Sequence, residues 1–203
     1  MTRAALVILS AAALVVVSGC TTKNDGTPSP GSNTSTTAAG AATTTSSAAG
    51  DVPAITGPEL DLAKFDTPCA MLKKDQLSAR GVTKAGTQRT DPTGTACQWY
   101  PDERALGTSF LVVLLDKAKG LDGVYANRED LPVFKPTEIA GYPAVDTDAT
   151  DAAHGACTTA VGVAKGEGFA VQVRVNDTKL PGYTDPCSVS GEIAETVIGN
   201  LKG

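Results

Sequence analysis

Few residues in this sequence have the type and spacing that enzymatic catalysis requires. The chain contains one histidine, His154, in the segment DTDATDAAHGAC, and it has no G-x-S-x-G pattern to present a serine nucleophile. A lone histidine in a polar loop is typical of a solvated side chain, because a general base must be held beside a nucleophile. No two acids stand in an apolar setting that would favour glycosidase chemistry. We therefore expect no catalytic residue and no cofactor.

Three acids around the same loop, Asp146, Asp148 and Asp151, raise the possibility of a cation site. In a calcium loop that starts at Asp146, the sixth position would be Asp151 instead of glycine, and the twelfth would be Cys157 instead of glutamate. A polar surface loop is the better interpretation. The cysteines also stand singly, without the C-x-x-C pairs typical of zinc sites and dithiol redox enzymes. We expect no metal site.

The charge balance argues against nucleic acid as a partner. The chain has 17 basic and 22 acidic residues and a net charge of -5. Two of each kind precede residue 59, so the remainder carries the same net charge. The longest basic run is Lys73-Lys74. Polyanion binding needs clustered positive charge, which this sequence lacks.

Cys20 follows an apolar run at the N-terminus, and its position suggests attachment to lipid. Residues 4–17 are apolar apart from Ser10, and Arg3 precedes them. The run is shorter than the ~20 residues of a membrane-spanning helix and matches an export signal. Val17-Ser18-Gly19-Cys20 resembles the bacterial lipobox, whose cysteine receives a diacylglycerol and starts the mature chain. Two acyl chains, such as palmitate, anchor a protein stably, whereas one chain holds it only reversibly. The alternative is a plain signal peptide with an incidental cysteine.

The sequence predicts three segments. Residues 1–19 form a lipoprotein signal peptide. Residues 20–58 comprise the lipidated cysteine and a disordered linker of Thr, Ser, Ala, Gly and Pro, whose root-mean-square reach is ~35 Å by the coil estimate. Residues 59–203 are long enough to form one domain with its own core.

The other four cysteines, Cys69, Cys97, Cys157 and Cys187, are an even number in an exported chain, which predicts disulfides. Three pairings are possible. The simplest joins neighbours, Cys69 with Cys97 and Cys157 with Cys187, and we adopt it as the prediction.

Apolar patterning predicts an α+β domain, a mostly antiparallel sheet with terminal helices packed on it and two disulfides. The predicted elements are a helix over 66–81 with Cys69 at its start, a hairpin of 96–100 and 108–115, a weak helix at 121–128, a strand pair 132–139 and 143–146, a hairpin of 156–164 and 169–175, and a C-terminal helix that begins at Asp185-Pro186. In the second hairpin, Gln172 and Arg174 alternate with valines and form a wet face. Trp99, two residues after Cys97, is interpreted as a core residue that covers the disulfide; stacking on a ligand is the alternative.

The order of four short motifs along the chain resembles that of an actinobacterial family of secreted lipoproteins built on a domain of unknown function. The motifs are Pro68-Cys69, Cys97-Gln98-Trp99, Gly141-Tyr142-Pro143-Ala144 and Pro186-Cys187 before an apolar helix. The resemblance spans residues 66–201 and implies a cell-envelope location, paired disulfides and no established activity. Lys73-Lys74 departs from it, because members often place a Thr or Ser cap there.

These observations lead to a modest functional prediction. We expect a lipid-anchored protein on the outer, extracytoplasmic face of the cytoplasmic membrane, held there by a diacylglycerol on Cys20. Its domain is expected to be non-catalytic and to bind an envelope protein or ligand of unknown identity. Two alternatives are a carrier of an apolar envelope ligand, which needs a cavity between sheet and helix, and an enzyme that uses carboxylates alone.

Overall fold

A single antiparallel sheet organises the chain. The computed structural model describes residues 51–150 and 152–203, so the predictions for Cys20 and Asp151 lie outside the described residues. The strand order is β1-β2-β3-β7-β6-β5-β4, and all neighbours are antiparallel. The strands are β1 (Thr87–Asp91), β2 (Gly94–Trp99), β3 (Thr108–Leu114), β4 (Val133–Ile139), β5 (Tyr142–Asp148), β6 (Ala156–Ala164) and β7 (Glu167–Val175). The predicted fold class is confirmed.

One face of the sheet is covered by α3 (Pro186–Lys202), the longest helix of the described residues. Asp185 caps its start by accepting a hydrogen bond from the Ser188 amide, and Pro186 occupies the first turn, as predicted. Ile193 and Val197 are fully buried and belong to one core with the valines of β6 and β7. This core fills the space between helix and sheet, so the largest share of apolar burial lies on this face.

The opposite face is covered only in part. The short helix α2 (Gly120–Ala126) places Leu121 and Tyr125 against Val145, Ala160 and Ala170 of the sheet. Seven residues of α-helix are about 10 Å long at 1.5 Å per residue, which is too short to span this sheet. Among the described residues, no helix therefore covers the ends of β6 and β7 remote from α2 on this face.

Both disulfides have the predicted connectivity. Cys69 is bonded to Cys97 and Cys157 to Cys187, with sequence separations of 28 and 30 residues. The first ties a 3-10 turn, Pro68–Ala70, to β2, and the second ties the first turn of α3 to β6. On the chain-entropy account, loops of this size each stabilise the fold by ~3 to 4 kcal/mol.

The N-terminal helical region and the first strand differ from the sequence expectation. Instead of one helix over 66–81, the 3-10 turn is followed by a separate helix α1 (Lys74–Ser78). The Gln76 side chain accepts a hydrogen bond from the Lys73 amide and caps this helix without a Thr or Ser. Strand β1 was not predicted, because its residues are polar and almost entirely exposed at the sheet edge.

Packing begins upstream of residue 59, where we expected the domain to start. Val52 and Ile55 pack against the two cores, and the Tyr142 hydroxyl donates to the Pro58 carbonyl at 2.7 Å. The Leu60 amide then donates to the Val163 carbonyl at 3.0 Å. The chain therefore joins the sheet at the C-terminal end of β6.

Trp99 lies in the core, as predicted. It is 1% exposed and stacks on Phe110 with the ring centroids 5.3 Å apart. A Cβ added at Gly86 would collide with both Cys97 Sγ and the edge of the indole ring. The segment before β1 therefore passes directly over the disulfide and the tryptophan, and only glycine permits this approach.

We predict that Trp99→Ala destabilises the domain by ~3 to 5 kcal/mol, the range for large core truncations. Trp99→Phe keeps an aromatic ring against Phe110 and should lose less. Tyr100→Ala, at a residue that is 38% exposed, should stay within about 0.5 kcal/mol of wild type. Denaturant unfolding followed by circular dichroism measures all three. An unchanged midpoint for Trp99→Ala would overturn the core assignment.

Candidate functional site

The uncovered part of the sheet forms a groove of about 800 Å³ that is open to solvent. It lies on the face that α2 covers only in part, where β2, β3, β6 and β7 run side by side. We call this concavity the sheet groove. Its polar lining residues are Gln98, Tyr100, Arg104, Ser109, Asp148, Thr158, Gln172, Arg174 and Asn176.

The floor of the sheet groove is a row of three polar residues and one buried leucine that the strand register lines up. Gln98 is opposite Leu111, Leu111 is opposite Gln172, and Gln172 is opposite Thr158. Neighbouring strands are about 4.8 Å apart, so the polar groups of adjacent strands can contact one ligand together. In the next row, Arg174 is opposite Ser109 and Ala156.

The rim of the sheet groove is formed by the loop between β2 and β3. The guanidinium carbon of Arg104 lies 3.7 Å from the centroid of the Tyr100 ring. Asn176, just after β7, donates through its side-chain amide to the carbonyl of Arg104 at 2.8 Å and to that of Gly107 at 3.1 Å. These hydrogen bonds hold the rim loop against the end of the sheet, so Arg104 has a fixed position beside the groove.

A second, smaller concavity lies at the other face, between β4, β5 and the start of α3. It has a volume of about 410 Å³, and its charged lining residues are Lys135, Glu138, Asp146, Asp185 and Glu195. We call it the acidic groove. With four acids among its lining residues, it is a place to look for the convergent acids that the carboxylate-enzyme alternative needs.

Asp146 is the half-buried acid of the acidic groove. Burial raises the pKa of its carboxyl group and nearby Asp185 adds to the rise, whereas a hydrogen bond from Thr159 and the charge of Lys135 oppose it. Thr159 donates to Asp146 Oδ1 at 2.7 Å and lies 2.7 Å from Ser190 Oγ on α3. The carboxyl group is therefore part of a polar contact between sheet and helix.

The acidic groove also adjoins the second disulfide. An Asp146 oxygen and the sulfurs of Cys157 and Cys187 all lie within 4.8 Å of one another. The two sulfurs are bonded to each other, so neither offers the thiolate that a metal would need. This grouping is therefore a contact between a carboxyl group and a cystine.

Asp146 and Asp148, the two described acids of the loop that does not fit a calcium-binding pattern, lie in different grooves. Asp146 lines the acidic groove, whereas Asp148 lines the sheet groove and accepts hydrogen bonds from the amide and hydroxyl of Thr150. His154 is exposed in the loop before β6. Of the sheet groove, the sequence indicated Gln172 and Arg174 as a wet face and singled out Asp148 and Gln98 for other reasons; it did not indicate Tyr100, Arg104, Ser109, Thr158 or Asn176.

We predict that Asp146→Asn raises the free energy of unfolding at pH 7. A carboxyl whose pKa is raised by folding binds its proton more tightly in the folded state, so stability falls as pH rises from the unfolded-state value, about 3.9, through the folded-state value. Asparagine removes this cost and still accepts from Thr159.

Urea unfolding from pH 3 to pH 8 measures the difference between the two proteins, which should shrink toward acid pH. Glu195→Gln, at an exposed position of the same groove, is the control and should change stability little. An asparagine variant that is less stable than wild type at pH 7 would contradict the prediction.

Comparison with known proteins identifies a family whose function is unknown. No curated protein and no solved structure matches the chain. The sequence does match the family described as "Protein of unknown function (DUF3558)" over residues 15–200, which is nearly its whole length. By this match the chain belongs to the DUF3558 family of proteins of unknown function.

Proposed function

We propose that this chain is a lipid-anchored protein of the bacterial cell envelope whose domain is a non-catalytic binding module, with the sheet groove as its ligand surface. The observation that carries the proposal is that groove: a concavity of about 800 Å³ whose lining includes amides, hydroxyls and guanidinium groups beside apolar residues such as Leu111, on the part of the sheet that no helix of the described residues covers. Ligand sites are typically concave surfaces with a few convergent polar groups.

The scaffold behind the groove is suited to recognition because it is rigid. The polar residues of its floor stand on strands, and the opposite sides of those strands belong to the buried core: Val112, Val171 and Val173 line the core side. Cys97 and Cys157, on β2 and β6, are each bonded to a helical element. A site on such elements keeps its geometry and loses little entropy on binding.

The location outside the cytoplasm rests on two lines of support. Two disulfides in a small domain are typical of an oxidising compartment, and the N-terminal sequence resembles a lipobox that ends at Cys20. Within the described residues, no helix has both the length and the apolar character needed to cross a membrane.

The two alternatives receive less support. A carrier of apolar molecules needs a cavity between sheet and helix, but Ile193 and Val197 of α3 pack directly against the sheet core. A carboxylate enzyme needs two acids that converge on a substrate, yet Asp146 is engaged by Thr159 and adjoins a cystine. The sheet groove offers a larger polar surface than either alternative uses.

We expect Cys20→Ser to release the protein from the membrane, because the acyl chains that anchor it need the cysteine sulfur. Detergent phase separation of bacteria that express each form measures the anchor: wild type should enter the detergent phase and the variant the aqueous phase. If both forms enter the aqueous phase, the prediction of a lipid anchor on Cys20 is wrong.

Filling the sheet groove should abolish recognition of the envelope. We expect the full-length protein in mild detergent to sediment with isolated bacterial cell walls, and Gln172→Trp, at the floor of the groove, to lower the bound fraction at least tenfold. Gln88→Trp makes the same change at an exposed position on β1 and should bind like wild type. Circular dichroism confirms that both variants fold. Sedimentation of Gln172→Trp at the wild-type level would refute the groove as the ligand surface.

A further inference from the structure

The charge of the sheet groove is opposite to that of the whole protein. Its lining contains two guanidinium groups, Arg104 and Arg174, and one carboxylate, Asp148. The chain as a whole carries a net charge of -5. The groove is therefore a local region of positive charge on an acidic protein, and such a region attracts anions while the rest of the surface repels them.

Neither guanidinium group forms an ion pair with any of the described residues. In the part of the chain that the structure describes, the ion pair present is Arg80–Glu192 at 4.0 Å, and no carboxylate pairs with Arg104 or Arg174. Arg104 rests on the Tyr100 ring. Stacking on an aromatic ring positions a guanidinium and leaves its N–H edges available to an anion.

The one acid among the lining residues offsets one of these two positive charges and leaves an excess of one positive charge. Asp148 accepts hydrogen bonds through Oδ1 from both the amide and the hydroxyl of Thr150. That carboxylate is engaged in a local turn at the end of β5. Arg104 and Arg174 have no carboxylate partner among the described residues, so they are the groups of the groove that can pair with an anion.

Between the charges lies a surface of neutral hydrogen-bonding groups. The Gln172 amide and the Thr158 hydroxyl have no side-chain partner among the described residues and stand on adjacent strands. Gln98 has already used its amide hydrogens, which it donates to the carbonyls of Trp99 and Phe110, so its carbonyl oxygen remains as an acceptor. Amides and hydroxyls that both donate and accept suit a ligand rich in hydroxyl groups.

We infer that the ligand of the sheet groove is an acidic saccharide, whose carboxylate is bound by Arg104 and Arg174 and whose hydroxyl groups are bound by Gln98, Thr158 and Gln172. This inference rests on the proposed function and adds the chemical class of the ligand. A guanidinium binds a carboxylate with two parallel N–H···O hydrogen bonds, which provide both orientation and selectivity.

Two other anionic ligands fit the groove less well. An extended peptide usually adds to a sheet edge through its backbone, but the floor of this groove is formed by β3, β7 and β6, which are interior strands whose backbone groups are already paired. A lipid surface needs exposed apolar or clustered basic residues, and the floor instead contains amide and hydroxyl groups.

Calorimetry with two matched trisaccharides tests the inference on the full-length protein in mild detergent. Trigalacturonate carries a carboxylate on each ring, and galactotriose is its neutral counterpart. We expect trigalacturonate to bind at least tenfold more tightly, and Arg104→Gln or Arg174→Gln to weaken its binding by roughly tenfold each, the effect of losing a charge-assisted hydrogen bond. Arg89→Gln removes the same charge from exposed strand β1 and should leave binding unchanged.

Each result supports or overturns the inference. Equal binding of the two trisaccharides, abolished by Gln172→Trp, would keep the groove as a ligand site and refute the preference for acidic saccharides. Trigalacturonate binding that survives both arginine substitutions, or that inorganic phosphate displaces at equal concentration, would show adventitious anion binding only and refute it. If neither trisaccharide binds, the inference is wrong, while sedimentation with cell walls still decides the proposed function.

Discussion

A seven-stranded sheet has two faces to cover, and this domain has one long helix with which to cover them. The 17 residues of α3 cover one face, and the 7 residues of α2 cover part of the other. An uncovered sheet face is tolerated in water only where its side chains are polar. Gln172, Thr158 and Arg174 meet that requirement. The groove therefore follows from the shortage of helix, and the same polar groups that make the open face soluble make it able to bind.

The parts of the fold that the sequence predicted are those where several local signals agree. Asp185 and Pro186 mark the start of α3, and apolar residues at four-residue spacing mark its buried stripe. The alternation in β7 and the glycine turn before it identified the last hairpin. Strand β1 carries no such signal, because an exposed edge strand needs neither alternation nor apolar residues. It forms because its backbone pairs with β2.

The site was less predictable than the fold, since its polar residues come from five strands, the loop between β2 and β3, and the residue after β7. Gln98 follows a disulfide cysteine and reads as part of a structural motif, and Thr158 reads as an ordinary strand residue. Only the pairing register of the strands places Gln98 and Thr158 in line with Gln172. The position of Arg104 depends on a contact between residues far apart in the sequence, the hydrogen bond from Asn176 that holds the rim loop. Tertiary pairing, which no local period encodes, creates this surface.

The central claim is that the face with Thr158 and Gln172 is open to solvent while the face toward α3 is closed. Relaxation enhancement by a neutral gadolinium chelate, measured by NMR on the side chains of the full-length protein in detergent, tests this most directly. The account predicts strong enhancement at Thr158 and Gln172 and little at Val171, which is fully buried on the opposite face of the same strand as Gln172. Protection of Thr158 and Gln172 equal to that of Val171 would mean that something covers the groove, and it would contradict the account.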